Sequence, residues 1–278
     1  MHDTYCMYVS KSLKKNIRTS TAAQDPLHML KAYDKSEHRL LVIGGSGFVG
    51  SNILQRAIQK GIEVRALNPS GKPQWQDVSW IDQVEWHKGD VFNETQLEKA
   101  VEGITGVIST VGAFGTNEFM EKVCGDTTIH AVQAAQRAGV KRFAFVSNSR
   151  VGSYYPSWMP LYGYYHGKER AEAALLARFP QTGVALRPGF IYGWRRTRKG
   201  YGIPLQLIGA PLFMLARNLG PISTALSYVP FFGEEMRATI PVAAVAKAAV
   251  LSAIGPVHGQ TLDTTSMLEL ADSFHVHE

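Results

Sequence analysis

The sequence predicts an α/β fold built on a doubly wound parallel sheet, and three observations predict it. An apolar run, Leu40-Leu41-Val42-Ile43, passes directly into Gly44-Gly45-Ser46-Gly47-Phe48-Val49-Gly50, and a pattern of helical period follows. From residue 39 onward, short apolar runs alternate with longer stretches of helical period, which is how a chain lays helices on both faces of a parallel sheet. The 278 residues are 45% apolar and 19% charged, so the chain can bury a large core and does not read as disordered.

Taken in order, residues 40–43 form the first strand. Residues 48–60 form a helix whose Val49, Ile53, Ala57 and Ile58 face inward, and Gly61 ends it. Residues 63–67 and 84–88 are the second and third strands, the latter leading to Gly89-Asp90. Asn93, with Gln96 three residues on, is an N-cap that opens a helix over 94–102. The fourth strand is 106–110. A helix over 127–138 stops at Gly139, the fifth strand is 142–147, a helix covers 167–179 and a strand covers 184–187. Right-handed crossovers then set the ligand crevice at the carboxyl ends of the strands. The expected organisation is one domain over residues 39–278, with the Pro- and Gly-rich residues 194–278 as a small substrate-side lobe. Residues 1–38 are an extension.

That extension has no acidic residue between Thr4 and Gln24. Lys11, Lys14, Lys15 and Arg18 carry its charge, and Val9, Leu13 and Ile17 share one helical face. Such a segment reads as an organellar transit peptide, with a solvated arm as the bland alternative.

The glycines between the first strand and first helix define a Rossmann-type phosphate loop. Gly44 permits a tight turn, Gly47 lets backbone approach a pyrophosphate and Gly50 lets the helix pack on the strand. The helix start at Phe48 and Val49 offers free N–H groups and positive potential to the phosphates. The alternative is a glycine turn used for packing alone. A nicotinamide dinucleotide is the implied ligand. Sites for NAD carry Asp or Glu about 20 residues past the loop, whereas here the positions are Leu67 and Asn68, followed by Ser70 and Lys72. NADP(H) is therefore favoured over NAD(H), with Lys72 as an exposed loop charge the alternative. Asp90 and Val91, after the third strand, are expected at the adenine, although Asp90 also suits a turn. Thr110, Val111 and Gly112, after the fourth strand, are expected at the nicotinamide ribose.

Tyr164 and Lys168 form Tyr-x-x-x-Lys shortly after the fifth strand, a spacing that stacks both side chains on one helix face. The ammonium would lower the phenol's pKa and let Tyr164 pass a proton to or from a substrate oxygen while hydride moves. Lys168 would also hold ribose hydroxyls. A third group orienting the substrate oxygen is expected at the end of the fifth strand. The aligned residue is Asn148, with Ser147 or Ser149 as substitutes. The alternative is cofactor binding without turnover.

Together with Leu186-Arg187-Pro188-Gly189-Phe190-Ile191-Tyr192-Gly193 and Gly139-Val140-Lys141-Arg142-Phe143, these motifs resemble the short-chain dehydrogenase/reductase superfamily in its extended or atypical branch, over residues 39 to about 268. The resemblance implies that Pro188, Gly189, Phe190 and Ile191 lie against the nicotinamide. It is nearest to a mitochondrial or plastid group that includes the NAD(P)-binding protein linked to coenzyme Q (ubiquinone) biosynthesis. The nucleotide-binding accessory subunit of respiratory complex I is more distant. The resemblance implies an organellar protein on the matrix side of the inner mitochondrial membrane or in a plastid, tied to quinone or lipid metabolism and to partners in quinone biosynthesis or a respiratory complex.

The net charge of +6 suits an organelle matrix or an anionic membrane. Its dispersal, without a nucleic-acid motif, argues against nucleic acid as a partner. Trp194-Arg195-Arg196-Thr197-Arg198-Lys199 beside the apolar residues 203–216 suits peripheral membrane contact. The same apolar run would equally line a pocket for a hydrophobic, quinone- or lipid-like substrate, or form a core helix. Arg217 and four prolines interrupt residues 200–233, so no spanning helix is expected. Two distant cysteines, Cys6 and Cys124, and nine histidines without ligand spacing predict neither a disulfide framework nor a metal site.

Overall fold

The computed structural model describes residues 37–75, 78–196, 202–204, 238–255, 257 and 260–273. The extension expected to be a transit peptide, most of the apolar stretch 200–233 and His275 and His277 lie outside them.

Seven parallel strands form the central sheet: β1 (Arg39–Ile43), β2 (Glu63–Asn68), β3 (Val84–Lys88), β4 (Gly106–Ser109), β5 (Arg142–Val146), β6 (Gly183–Arg187) and β11 (Gln260–Asp263). Their order is β11-β6-β5-β4-β1-β2-β3. The chain leaves β1 in one direction through β2 and β3, then returns to β4 on the other side. The order reverses between β1 and β4, and the carboxyl ends of those strands are where such a sheet opens a crevice. Register aligns the two ends, with Ile43 opposite Leu67 on one side and Ser109 on the other.

Why these segments fold so is legible locally. Helix α1 (Phe48–Gln59) buries Ile53, Leu54 and Ala57, and Gly61 at φ +72° turns the chain out of it. Helix α2 (Glu94–Val101) is capped by Asn93, whose side chain accepts from the Gln96 N–H. Helix α3 (Asn117–Glu121) runs through a π-helical turn, Lys122–Asp126, into α4 (Thr127–Arg137). Helix α5 (Tyr162–Arg178) follows β5. One face of the sheet packs Leu41, Ile43, Val107, Phe143 and Phe145 against Leu97, Ala131, Val132, Ala171 and Leu175 from α2, α4 and α5.

Three sequence expectations are corrected. The helix expected from residue 167 begins at Tyr162, because Gly163 and Gly167 are close-packing positions inside it rather than its boundary. The helix expected over 127–138 is preceded by α3 and the π turn, whose extra residue breaks the period that pattern reading relies on. The C-terminal segment is not all lobe. Helix α6 (Val242–Ile254) buries eleven of its thirteen residues and lies on α1, β4, β5 and β6. Its apolar circumference is what a helix covered on all sides requires, and its alanines let it approach so closely that a Cβ at Gly106 would stand 2.4 Å from the Ala253 oxygen. The chain then adds β11 to the sheet edge beside β6 and ends the described residues in α7 (Thr264–Ser273). Small ribbons pair β7 (Ile191–Tyr192) with β10 (Ile240–Pro241), and β8 (Trp194–Arg196) with β9 (Gly202–Pro204).

Candidate functional site

The bend from β1 into α1 is built with little tolerance. Gly44 has φ +84°, a left-handed conformation natural only to glycine, and a Cβ there would lie 2.8 Å from the Thr110 Oγ1. At Gly50 a Cβ would lie 2.3 Å from the Gly44 oxygen, so α1 can start only this close to β1 with hydrogen at that place. The turn closes with the Gly47 N–H donating to the Gly44 carbonyl at 2.9 Å, and the Ser51 N–H to Gly47. The first N–H groups of α1, from Phe48 and Val49, have no acceptor within a helix by geometry. No acidic side chain occupies that turn, so the positive helix end is left for an anion. Two neighbours brace the bend: the Gly44 N–H donates to the Leu67 carbonyl at 3.0 Å, and the Thr110 hydroxyl donates to the Ile43 and Gly44 carbonyls. Thr110 thus supports the loop with the group expected to face a ribose.

At the end of β2, Asn68 is 4% exposed. Its Nδ2 donates to the Gly71 carbonyl at 2.7 Å and to the Ser70 hydroxyl at 3.1 Å, so Ser70 holds the turn. Lys72 reaches away to Asp82, 2.5 Å from its carboxylate. Asp90 Oδ1 accepts from the Phe92 N–H at 3.0 Å, and the Gln96 side chain accepts from the Asp90 N–H, which is the turn-forming role. The Val91 side chain is 7% exposed and packs in the core with Leu67 and Leu97.

Beyond β4 and β5 the second half of the crevice assembles. A Cβ at Gly112 would sit 3.7 Å from the Tyr164 ring and 4.0 Å from the Lys168 Nζ, which brings the loop after β4 onto the Tyr–Lys pair. Val111 packs against the core beneath it. Phe114, 74% exposed, stacks on Tyr164 with centroids 5.4 Å apart and planes at 14°. Tyr164 and Lys168 share a face of α5 as their spacing predicts, with Nζ 5.2 Å from the Tyr164 ring centroid. Lys168 is 3% exposed and donates to the Val146 carbonyl at 2.7 Å. Burial pulls its pKa down to about 8, opposed by Cys124 and Glu172. Cys124, in the π turn, is buried, and burial raises its thiol's pKa while Lys168 opposes.

Ser147, expected as the third group, is held by a buried acid. Its hydroxyl donates to the Glu172 carboxylate at 2.8 Å, and Glu172, 3% exposed, is also held by the Arg187 guanidinium. A hydroxyl locked into that buried pair serves the packing of α5 on the sheet. Asn148 accepts the Arg150 N–H in a tight turn. The Ser149 hydroxyl is buried with no hydrogen-bond partner among the described residues, and its N–H donates to the Pro188 carbonyl, which ties it to the stretch 188–191. There, Gly189 lies so close to Ala238 that a Cβ would meet its oxygen at 2.4 Å. The Phe190 carbonyl accepts from Ile240, and Ile191 pairs with Ile240 in β7 and β10. Among the described residues no group of three His, Cys, Asp or Glu could hold a metal ion, and no helix is long and apolar enough to cross a membrane.

A family model described as NAD(P)H-binding matches residues 44–203, a span that runs from the glycine bend through the Tyr–Lys pair to β9. The chain belongs to this NAD(P)H-binding family. Among its relatives, an uncharacterized chloroplastic protein of Arabidopsis thaliana is 44% identical over 180 residues, 64% of this chain and 59% of that protein. The chain thus spans about three fifths of that relative's length. Protein FMP52-1, mitochondrial, of Scheffersomyces stipitis is 28% identical over 194 residues, 62% of this chain and 81% of that one. Of solved structures, the Bordetella bronchiseptica enzyme WbmF in complex with NAD+ superposes with a TM-score of 0.57 at 17% identity, covering 86% of this chain and 78% of that one. At that identity the likeness is one of fold.

The residues present fit an NAD(P)H-binding role. The bend offers unpaired N–H groups to a diphosphate, and the buried Asn68 Oδ1 has no partner among the described residues, an acceptor suited to a ribose hydroxyl. Sequence reading missed three supporting residues. The Asn117 side chain accepts from the Gly163 N–H and donates to the Met159 carbonyl, clamping the turn before Tyr164, where Leu161 takes φ +70°. Thr116-x-x-Phe119 is the cap signal that would have found it. Glu172 lies one helical step past Lys168 on the same face, and only an acid on an inward face hinted at its role. Phe114 had no local signal.

Proposed function

We propose that this protein binds a nicotinamide dinucleotide inside an organelle and acts as a reductase-like partner in quinone or lipid metabolism. The observation that carries the reading is the convergence of Gly112, Tyr164 and Lys168 at the carboxyl end of β4 and β5, in a chain whose glycine bend lies at the switch point of the same sheet. When bound, the nicotinamide supplies or accepts hydride. Lys168, anchored to the Val146 carbonyl, holds positive charge beside the Tyr164 ring and is placed to donate to ribose hydroxyls. Tyr164 holds a proton at its phenol oxygen and exchanges it with a substrate carbonyl or hydroxyl. Phe114, Tyr154 and Trp158, strongly exposed on the loops after β4 and β5, offer an apolar, aromatic rim to a hydrophobic substrate. Trp194 beside Arg195 and Arg196 suits contact with an anionic membrane.

Chloroplastic and mitochondrial relatives support the organellar setting. Work in coenzyme Q biosynthesis on the matrix side of the inner mitochondrial membrane is the finer form of the proposal, resting on the motif resemblance. A second reading, a nucleotide-holding accessory protein without turnover, is favoured by Asn148 at the aligned third position and by Ser147's bond to Glu172. The deciding experiment supplies reduced dinucleotide and a panel of short-chain quinones to wild type and Tyr164→Phe. Nucleotide oxidation in wild type that Tyr164→Phe lowers at least 100-fold, with cofactor affinity kept, supports the reductase. Undetectable oxidation with intact binding supports the accessory protein.

A further inference from the structure

The Asn68 amide is oriented by chemistry rather than by choice. Its Nδ2 faces the Gly71 carbonyl at 2.7 Å, and a carbonyl oxygen only accepts, so the nitrogen must be on that side. The second amide hydrogen goes to the Ser70 hydroxyl at 3.1 Å. The Asn68 backbone carbonyl is also taken, accepting from the Gly71 and Gly89 N–H groups at 3.2 Å. Oδ1 is left over: a buried acceptor without a partner among the described residues, on a residue 4% exposed.

Strand alternation says where it lies. The Ala66 Cβ stands 2.8 Å from the place a Gly45 Cβ would occupy, so Ala66 faces the phosphate bend. Asn68, two residues on, shares that face one step closer to the carboxyl edge of the sheet. A dinucleotide whose diphosphate rests on the start of α1 brings its adenosine ribose to that edge.

Of the cations nearby, Lys88 stands opposite Asn68 in β3 and is exposed, and two others are paired. Lys72 pairs with Asp82. Arg65 pairs with Glu85 and donates to the Lys99, Ala100 and Glu102 carbonyls at the end of α2.

We infer that Asn68 selects a dinucleotide with a free 2′-hydroxyl, NAD(H), over the 2′-phosphorylated NADP(H). The inference rests on the dinucleotide-binding proposal and reverses the preference that the absence of an acid in the sequence suggested. A 2′-hydroxyl carries the proton that Oδ1 needs. A 2′-phosphate at neutral pH sets oxygen against oxygen at that buried acceptor.

The test varies the ligand, which leaves the turn held by Asn68 intact. Wild-type protein is titrated with NADH, with NADPH and with the NADH analogue whose adenosine ribose is 2′-deoxy, following energy transfer from tryptophan to the reduced nicotinamide. NADH should bind tightest, and the deoxy analogue about tenfold more weakly, as expected for one hydrogen bond to a buried acceptor. NADPH should be weaker still. NADPH binding as tightly as NADH, or a deoxy analogue equal to NADH, overturns the selection by Asn68 while leaving the dinucleotide site standing. Failure of all three to bind overturns the site itself.

Discussion

The crevice has two halves that the chain builds in different ways. The half formed by β1, β2 and α1 is made of backbone: a glycine bend, free helix N–H groups and a turn held by one amide. The half formed by β4, β5 and α5 is made of side chains whose placement depends on partners far off in sequence, such as Lys168 on Val146, Ser147 on Glu172 and Asn117 on Gly163. Backbone sites tolerate almost no added atom, while side-chain sites can keep their shape and change their chemistry. The NAD(P)H-binding family match spans both halves, but only the side-chain half sets whether bound dinucleotide is turned over.

The largest effect should come from the backbone half. Gly50→Ala puts a methyl 2.3 Å from the Gly44 oxygen, which the helix can relieve only by moving off the strand. Dinucleotide affinity should fall at least 100-fold by titration, and thermal stability by about 2 kcal/mol or more, as overpacked sites show. If Gly50→Ala binds normally, the backbone half is not the anion site.

In the side-chain half, Lys168→Met should weaken dinucleotide binding about tenfold or more, the worth of one hydrogen bond to a charged donor, with the fold retained. The pH dependence has a definite sign. The lysine's pKa is depressed to about 8 in the folded protein from 10.5, so between those values the unfolded chain binds more protons. The Lys168 contribution to stability therefore rises with pH over that window. Binding runs the other way: affinity for the anionic dinucleotide should decline as pH passes about 8, and Lys168→Met should flatten that decline.

The two serines sharpen the comparison further. Ser147→Ala should cost about 1–3 kcal/mol of stability, because Glu172 loses a donor in a buried site, and leave dinucleotide affinity unchanged. Ser149→Ala should leave stability within about 0.5 kcal/mol and lower any turnover with quinones. The reverse outcome would return Ser147 to the reacting centre.

An effect away from the crevice altogether lies at the β3 edge of the sheet. Burial alone would raise the Glu85 pKa, but hydrogen bonds from Arg65 and His87, with the charges of Arg65 and Arg39, hold it at about 2 against 4.5. Its stabilisation is complete above the unfolded value and is lost as pH falls from 4.5 toward 2. Glu85→Gln should cost about 1 kcal/mol near neutrality, since the carboxylate is more than a third exposed and water screens it. The difference from wild type in denaturant melts should vanish toward pH 2.

How much was legible follows the same division. The strands, α1, the Asn93 cap and the glycine bend are fixed by neighbours within a few residues, and local pattern finds such features. The early start of α5 was hidden by Gly163 and Gly167, which look like helix breakers but are points of close approach: a Cβ at Gly163 would stand 1.9 Å from the Asn117 oxygen. Helix α6 and strand β11 were assigned to a lobe because nothing in residues 242–263 says which sheet they will join. Val91, Thr110 and Ser147 have the right residue types at the right places in the chain, but the core packing and hydrogen bonds they make come from residues distant in sequence. The inference about the cofactor rests on Asn68, whose spare oxygen is visible only once both amide hydrogens are accounted for.

The central claim is that the bend between β1 and α1 seats the diphosphate of a nicotinamide dinucleotide and presents its other end to Tyr164 and Lys168. A crystal structure of the protein soaked with NADH tests it most directly. The account predicts diphosphate density over the N–H groups of Phe48 and Val49, with the nicotinamide ribose within hydrogen-bonding distance of Lys168 Nζ. Dinucleotide bound away from the bend, or saturating NADH that leaves the crevice empty, would contradict it.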